Sequence, residues 1–269
     1  MMLEKITPLI LTFNEEPNIG RVLERLTWAR EVVVLDSGST DRTKEIALSF
    51  PNVRWETRAF DSFAGQCNFA LENLLSNVEW VLSLDSDYVL GTDCEKELNR
   101  LCPETWVEGY QFGFVYCVEG KPLRGTLYPP RVCLFRSKTK ARYAQDGHAH
   151  RLILDGKVVQ LSSKILHDDR KPLSRWLVSQ SKYAEQEADL ILSQPWGKLR
   201  LSNRIRKWIV LSPVLAPLVY LFLRGGIFDG RPGLVYAFQR LMAEAIISIK
   251  LLERQITQEG HSKLPAEKN

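Results

Sequence analysis

Several common building materials are scarce in this 269-residue sequence, and each scarcity removes a class of protein. Its five cysteines, Cys67, Cys94, Cys102, Cys117 and Cys133, are scattered, odd in number and never spaced Cys-x-x-Cys, which argues against a disulfide framework and a structural zinc cluster. They read as reduced, mostly packed thiols. Apolar runs are short. Ile6 to Phe13 carries Pro8 and runs into Asn14-Glu15-Glu16, unlike a secretory signal, so the expected location is the cytoplasm. Trp208 to Leu223 is apolar but holds Pro213 and Pro217 and ends at Arg224, short of the roughly 20 residues a membrane span requires. Charge of one sign is in small excess. A net charge of +4, with no Arg/Lys tract interleaved with aromatics, is too mild for a nucleic-acid partner. No internal repeat is visible.

What is present is a globular composition, 45% hydrophobic, enough for one large domain with an appendage. Ile6–Leu11, Glu31–Leu35, Val53–Thr57 and Glu79–Leu84 read as strands. Helical spacing lies between them, as in Ile19, Val22, Leu23 and Leu26, in Arg42–Phe50 and in Phe63–Leu75. Alternating strands and helices predict an α/β protein with a mostly parallel, doubly wound sheet whose ligands sit outside the carboxyl ends of the strands. Three polar loops then share that edge: Thr12–Glu16, Asp36–Asp41 and Asp85–Asp87. Further on, Gly109–Cys117 and Val132–Phe135 read as strands, and short strands near Leu152 and Val158 flank an Asp155-Gly156 turn. A helix is expected from Pro172 to about Leu192 and another over Leu234–Leu252.

The run Trp80-Val-Leu-Ser-Leu-Asp85-Ser-Asp87 carries the chemistry. It drives an apolar strand into two carboxylates, and side chains at i and i+2 of an extended chain point the same way, so both can converge on one hard cation. Mg2+ or Mn2+ is typically held by one or two carboxylates while substrate phosphates complete its shell, which suggests a phosphate-bearing ligand. Asp-Ser-Asp also suits an ordinary turn. An EF-hand loop does not fit, because Lys96 stands at the twelfth position where a bidentate Glu is needed.

Pro8-Leu-Ile-Leu-Thr-Phe-Asn-Glu-Glu16, Val34-Leu-Asp-Ser-Gly-Ser-Thr-Asp41 and Leu82-Ser-Leu-Asp-Ser-Asp87 resemble, in order and spacing, the successive motifs of family 2 glycosyltransferases, which have the nucleotide-sugar-binding GT-A fold. The resemblance covers about residues 5 to 170. Arg124, Arg131-Val-Cys-Leu-Phe135, the His148 and His150 loop and Asp229-Gly230 are similar to the branch that contains lipopolysaccharide core β-glucosyltransferases. The resemblance implies that Thr12, Asn14 and Glu15 border the base and ribose, that Asp36 bonds uracil or ribose, and that Gln66 and Asn68 occupy a basic-polar stretch of the nucleotide-sugar site. Asp85 would face ribose or metal, and Asp87 would bind the metal that clamps the diphosphate. His167 would be a further metal ligand, as a late histidine is in many GT-A enzymes.

Inversion needs a base for the acceptor hydroxyl, and Asp146 in Gln145-Asp-Gly-His148 is the candidate, so Asp146 and Asp87 form the expected catalytic set. Where relatives in the branch show Val-His-Glu, this chain reads Ala149-His150-Arg151 and the Glu is missing. His148, His150 and Arg131 are expected on the acceptor side. The two histidines offer too few ligands for zinc.

The expected organisation is a GT-A catalytic domain over 1–170, a helical, membrane-associating region over 171–258 and a polar tail over 259–269. Lys198, Arg200, Arg204, Arg206 and Lys207 lead into the Trp208–Leu223 run, and with Trp208 and Tyr220 they favour an anionic membrane surface, where the run lies in or dips into one leaflet. The expected activity is inverting, metal-dependent transfer from a nucleotide-diphosphate sugar, UDP-linked by expectation, to a glycan or lipid-linked acceptor at the inner membrane face. Two other readings share the sheet. A sugar-phosphate nucleotidyltransferase ordinarily wants a glycine-rich phosphate loop, which Thr12–Glu16 lacks. An inert glycan-binding or membrane scaffold would bind UDP without transfer.

Overall fold

The computed structural model describes residues 1–137, 141–146 and 149–262. The chain divides into two compact units, Met1–Lys171 and Pro172–Asn269.

The first unit begins with β1 (Ile6–Thr12), α1 (Ile19–Leu23), β2 (Val32–Asp36), α2 (Thr43–Leu48), β3 (Val53–Thr57), α3 (Phe63–Asn73) and β4 (Trp80–Asp85). These four strands lie parallel in the order β3-β2-β1-β4. Every residue of β2, Val-Val-Val-Leu-Asp, is buried, as expected for a strand covered on both faces. Alternation along the strands divides the core. Ile10, Val34, Leu82 and Leu84 pack with Ile19, Val22 and Leu23 of α1 on one face. Leu9, Val33, Leu35 and Val81 pack with Ala64, Cys67 and Ala70 of α3 on the other. Ser62 caps α3 by accepting from the Gly65 N–H at 2.9 Å.

The second half of the unit is β5 (Tyr88–Leu90), α4 (Cys94–Arg100), β6 (Val107–Val118), β7 (Lys121–Pro122), β8 (Arg131–Arg136), β9 (Arg142–Asp146), β10 (Ala149–Ile153) and β11 (Lys157–His167). It extends the sheet as β4-β8-β6-β11-β5, with β7 paired to β6. Here the sheet turns mixed, because β8 is antiparallel to both β4 and β6 and β5 is antiparallel to β11. The expected hairpin about Asp155-Gly156 does not form. Leu152 belongs to β10, which pairs with β9, whereas Val158 lies in the long strand β11, which runs parallel to β6. The buried side chains of β11, Leu161 and Ile165, are used in the main core, which decides that partnership. The three-residue β5, not anticipated from sequence, has the greatest consequence for the site. It follows Asp87 directly and sets Tyr88 opposite His167.

The second unit is helical: α5 (Leu173–Ser193), α6 (Leu201–Arg206), α7 (Leu211–Leu218) and α8 (Gly230–Ser262). Pro217 inside α7 removes one backbone donor, and a π-helical turn over Val219–Leu223 absorbs the disruption. Ala184, Ala188 and Ile191 of α5 pack on Ile247 and Leu251 of α8. Arg206 is a partly buried charge hub, donating to Glu187 at 3.1 Å, to Glu244 at 2.6 and 2.8 Å and to Asn203 at 3.0 Å. Tyr220, expected at an interface with lipid, is instead fully buried, donating to Asp229 at 3.1 Å and packed on Tyr236. No single helix among the described residues is long and apolar enough to cross a membrane. Leu211–Leu223 and Gly226–Thr257 meet the length and composition requirement only together, as a broken pair.

Candidate active site

The carboxyl ends of β1, β2 and β4 gather the three polar loops, since Leu11 pairs with both Leu35 and Asp85, and Thr12 pairs with Asp36. The first two loops are stitched to each other. Asn14, in the left-handed region at φ 54°, accepts at its side-chain oxygen from the N–H groups of Thr40 at 2.7 Å and Asp41 at 3.3 Å. Its own N–H donates to Ser39 Oγ at 2.7 Å, and the Glu15 N–H donates to Thr43 Oγ1 at 2.7 Å. Asp36 is buried and accepts from the Gly38 and Ser39 N–H groups, both at 2.9 Å, so its carboxylate shapes its own loop. Thr12 Oγ1 and Gln66 Oε1 are buried with no partner in the protein, although Gln66 donates to the carbonyls of Arg58 and Ala59 at 3.1 Å. Unpaired polar atoms of this kind at a strand edge are what a ligand's donors would satisfy. Asn68 is different. Both ends of its amide are taken up by the Tyr143 backbone, at 2.9 and 2.8 Å, so it ties α3 to β9 instead of standing open to a nucleotide.

Asp85 and Asp87 have separate surroundings. Asp85 is partly exposed and lies 3.9 Å from Arg131. Asp87 is partly buried, with His167 Nε2 3.4 Å away. Their approach follows from the sheet: Tyr88 is paired with His167, and the Asp168 N–H donates to the Asp87 carbonyl at 3.0 Å. Burial opposes the charge on Asp87, yet the attraction and hydrogen bond of His167 and the charge of Lys171 hold its carboxyl down to about 2. Lys171 itself lies 2.6 Å from Glu15 and 3.6 Å from Asp169. The acids around it, Asp87 first, raise its pKa against the opposing effect of burial. Burial raises the Glu15 carboxyl, an effect limited by Lys171.

The fit to a divalent ion is partial. Among the described residues no three His, Cys, Asp or Glu side chains converge as a ready-made ligand group, so Asp85, Asp87 and His167 do not form one cage. Asp87 and His167 do converge, and the second ring nitrogen of His167, Nδ1, is buried with no partner. Two protein ligands with phosphate oxygens completing the shell is the ordinary arrangement for Mg2+ or Mn2+.

Arg131, expected on the acceptor side, lies beside Asp85. It donates to the Tyr88 hydroxyl at 3.2 Å, lies over the Tyr128 ring at 5.3 Å, and is raised in pKa by those tyrosines and by Asp85 despite its burial. Tyr88, Tyr116 and Tyr128 all place their rings within 5.2 Å of the His167 ring. Asp146 ends β9 and pairs in register with Ala149, while Gln145 pairs with His150. His148 lies outside the described residues, and so do the side chains of Asp146 and His150.

Sequence reasoning passed over the charged run that follows His167. Asp168 accepts from Arg21 at 2.6 Å, from Arg170 at 2.9 and 3.0 Å and from the Gly120 N–H at 3.0 Å. Buried Asn18 donates to Glu15 at 2.8 Å and Asp169 at 2.9 Å while accepting from Arg21 at 2.6 Å. Five consecutive residues, His167-Asp-Asp-Arg-Lys171, immediately after a strand were the available signal.

The model for glycosyl transferase family 2 matches residues 9–149, the stretch that contains all three loops and β9. The chain belongs to glycosyl transferase family 2. Over 259 residues it is 26% identical to the lipopolysaccharide core biosynthesis glycosyltransferase LpsC of Rhizobium meliloti, covering 87% of this chain and 89% of that protein. Among solved structures, Staphylococcus aureus TarS 1-349 in complex with UDP-GlcNAc is 18% identical, covers 94% of this chain and 92% of that one, and has a TM-score of 0.47. Glucosyl-3-phosphoglycerate synthase from Mycobacterium tuberculosis in complex with Mn2+, UDP and glucosyl-3-phosphoglycerate is 17% identical, covers 70% and 78%, and also has a TM-score of 0.47. This family 2 chain therefore has the GT-A α/β architecture and is a glycosyltransferase, with a helical C-terminal unit.

Proposed function

We propose that this glycosyltransferase moves a sugar from a UDP-sugar to a glycan or lipid-linked acceptor of the cell envelope, with inversion and with the help of Mg2+ or Mn2+. The observation that carries the reading is partly buried Asp87, just beyond the end of β4, set against His167 and within the field of Lys171, beside the stitched loops of β1 and β2. Asp87 and His167 would hold the ion. Bound there, it would neutralise charge on the departing diphosphate, which lowers the barrier to leaving. Lys171 holds Glu15, and through Asn18 the same loop is tied to the end of β11. The nucleotide loop and the ion-binding pair are thus parts of one hydrogen-bonded frame. The open acceptor atoms of Thr12 and Gln66 suit the donors of a uridine.

Asp146 is the proposed base. It takes the proton of the acceptor hydroxyl as the new bond to the sugar carbon forms and the bond to the diphosphate breaks, and UDP departs. The similarity to LpsC along most of both chains supports a role in lipopolysaccharide core or related envelope synthesis. A cytoplasmic location on the inner face of the membrane, through the helical unit, agrees with its basic stretch. Purified protein incubated with UDP-sugars, Mn2+ and envelope acceptors should release UDP, and Asp87→Ala should abolish release. Unchanged turnover in Asp87→Ala would refute the assignment.

A further inference from the structure

Two apolar stripes lie exposed on the helical unit. On α7 and its π turn, Val214, Leu218 and Phe222 recur every fourth residue and are 44–64% exposed. On α8, Leu234, Phe238 and Leu241 recur at spacings of four and three, and Ile249, Leu252 and Ile256 continue the spacing, all 40–68% exposed. Large apolar side chains repeated this way over two helices are not the scattered surface residues of an ordinary soluble domain.

The two helices return to the same place. Tyr220 packs on Tyr236, Ser212 donates to Glu244, and Ser248 donates to the Ile209 carbonyl at 2.6 Å. As the position on one helix rises, its partner's position falls, so the chain runs out along α7 and back along α8. The base of this hairpin is pinned by the largely buried Arg206–Glu244 pair at 2.6 Å. Its turn is held by Tyr220 and Asp229 and by close backbone packing of Gly233 on Gly226. From Leu211 to Leu223 the outgoing arm is only about 20 Å long, less than the roughly 30 Å of a bilayer's hydrocarbon core. Arg224 and Arg231 stand exposed at the turn, where a crossing hairpin would carry them through lipid.

Charge identifies the occupant. Between residues 194 and 243 there are eight Lys and Arg and one acid, Asp229, and Lys198, Arg200, Arg224 and Arg231 are exposed. An apolar surface rimmed by cations complements an anionic lipid leaflet. We propose that the α7–α8 hairpin lies in the plane of one anionic leaflet, its two stripes in the acyl region and its arginines at the headgroups, and that the chain does not cross the bilayer. This rests on the membrane association proposed above and specifies its mode.

The test is co-sedimentation of the full chain with sealed vesicles of phosphatidylglycerol and phosphatidylethanolamine, and with neutral phosphatidylcholine vesicles. Wild type should sediment with the anionic vesicles. Phe222→Asp/Phe238→Asp should lower partitioning at least tenfold with its circular dichroism unchanged, and Arg224→Gln should lower it roughly fivefold on anionic vesicles only. In a Cys102→Ser background, a nitrobenzoxadiazole label on Ile227→Cys should be bleached completely by external dithionite, which does not cross lipid. If wild type binds no vesicle, the membrane association itself fails. If wild type binds but the double variant binds equally, or if the label is protected from dithionite, membrane association stands and the in-plane hairpin is overturned. If light scattering shows that the double variant instead dissociates a dimer, the stripes join two copies and the lipid assignment falls.

Discussion

Replacing Asp168 with alanine removes the acceptor at the centre of the frame that holds the loop after β1 to the end of β11. The side chain is 8% exposed and accepts four hydrogen bonds, one from Arg21, two from Arg170 and one from the Gly120 N–H. Breaking a buried ion pair from one side costs about 3–5 kcal/mol. Arg21 and Arg170 keep 30% and 33% of their side-chain surface, so water screens part of the uncompensated charge and about 2–3 kcal/mol is expected. In urea that is a midpoint shift of roughly 1 M.

The pH dependence adds a second, independent reading. Burial raises the Asp168 carboxyl, but Arg170 and Arg21 outweigh it and hold the group below its ordinary value. A depressed folded pKa contributes stability that is complete above the unfolded value, about 3.9, and is lost as the pH falls through the folded one. The gap between wild type and Asp168→Ala should therefore be full at neutral pH and narrow below about pH 4. A loss under about 0.5 kcal/mol, or a gap that persists unchanged into acid, would refute the reasoning.

Four further outcomes are expected. Glu97 accepts from the N–H and hydroxyl groups of Ser162 and Ser163, and these bonds overcome burial to hold it down to about 2. Its contribution is present above about pH 4.5 and lost towards pH 2, so acid titration of Glu97→Gln should show a flatter loss of stability than wild type. Asn68→Ala should cost about 1–2 kcal/mol in urea unfolding and speed hydrogen exchange at Tyr143, because it cuts the tie between α3 and β9. Arg206→Leu leaves Glu187 and Glu244 buried without their cation and should cost about 3 kcal/mol in thermal unfolding of the helical unit. Gly226→Ala sets a methyl group into the Tyr220 ring and should lower the melting temperature of that unit, whereas Gly197→Ala, which meets open space, should not.

How much of this was legible in the sequence depended on how local each signal was. The strands β1, β2 and β4 were readable because each is an apolar run long enough to be covered on both faces, and the acids at the tip of β4 follow directly from one of them; β3, Val-Arg-Trp-Glu-Thr at the sheet edge, is half-exposed and has no such run. The partner of β11 was not readable. Val158 and Leu152 both suit a short hairpin, and only the long-range demand of the core places β11 between β6 and β5. That pairing brings His167 to Asp87 across 80 residues, so the convergence of the two had to be supplied by family resemblance. Asn14, Asp36 and Asn68 are polar residues at a ligand edge by sequence, yet their side chains bond protein backbone, which composition and spacing do not encode. Tyr220 misled for the opposite reason. Its position after two prolines in an apolar run suits an interface, but Asp229 nine residues later provides a buried partner for its hydroxyl.

Calorimetric titration of UDP into the full chain, with and without Mn2+, tests the central claim most directly, because it reads the nucleotide loops and the Asp87–His167 pair at once. Wild type should bind UDP tightly only with Mn2+, and Asp87→Ala and His167→Ala should each lose that dependence. Equal UDP affinity with and without Mn2+ in all three proteins would contradict it.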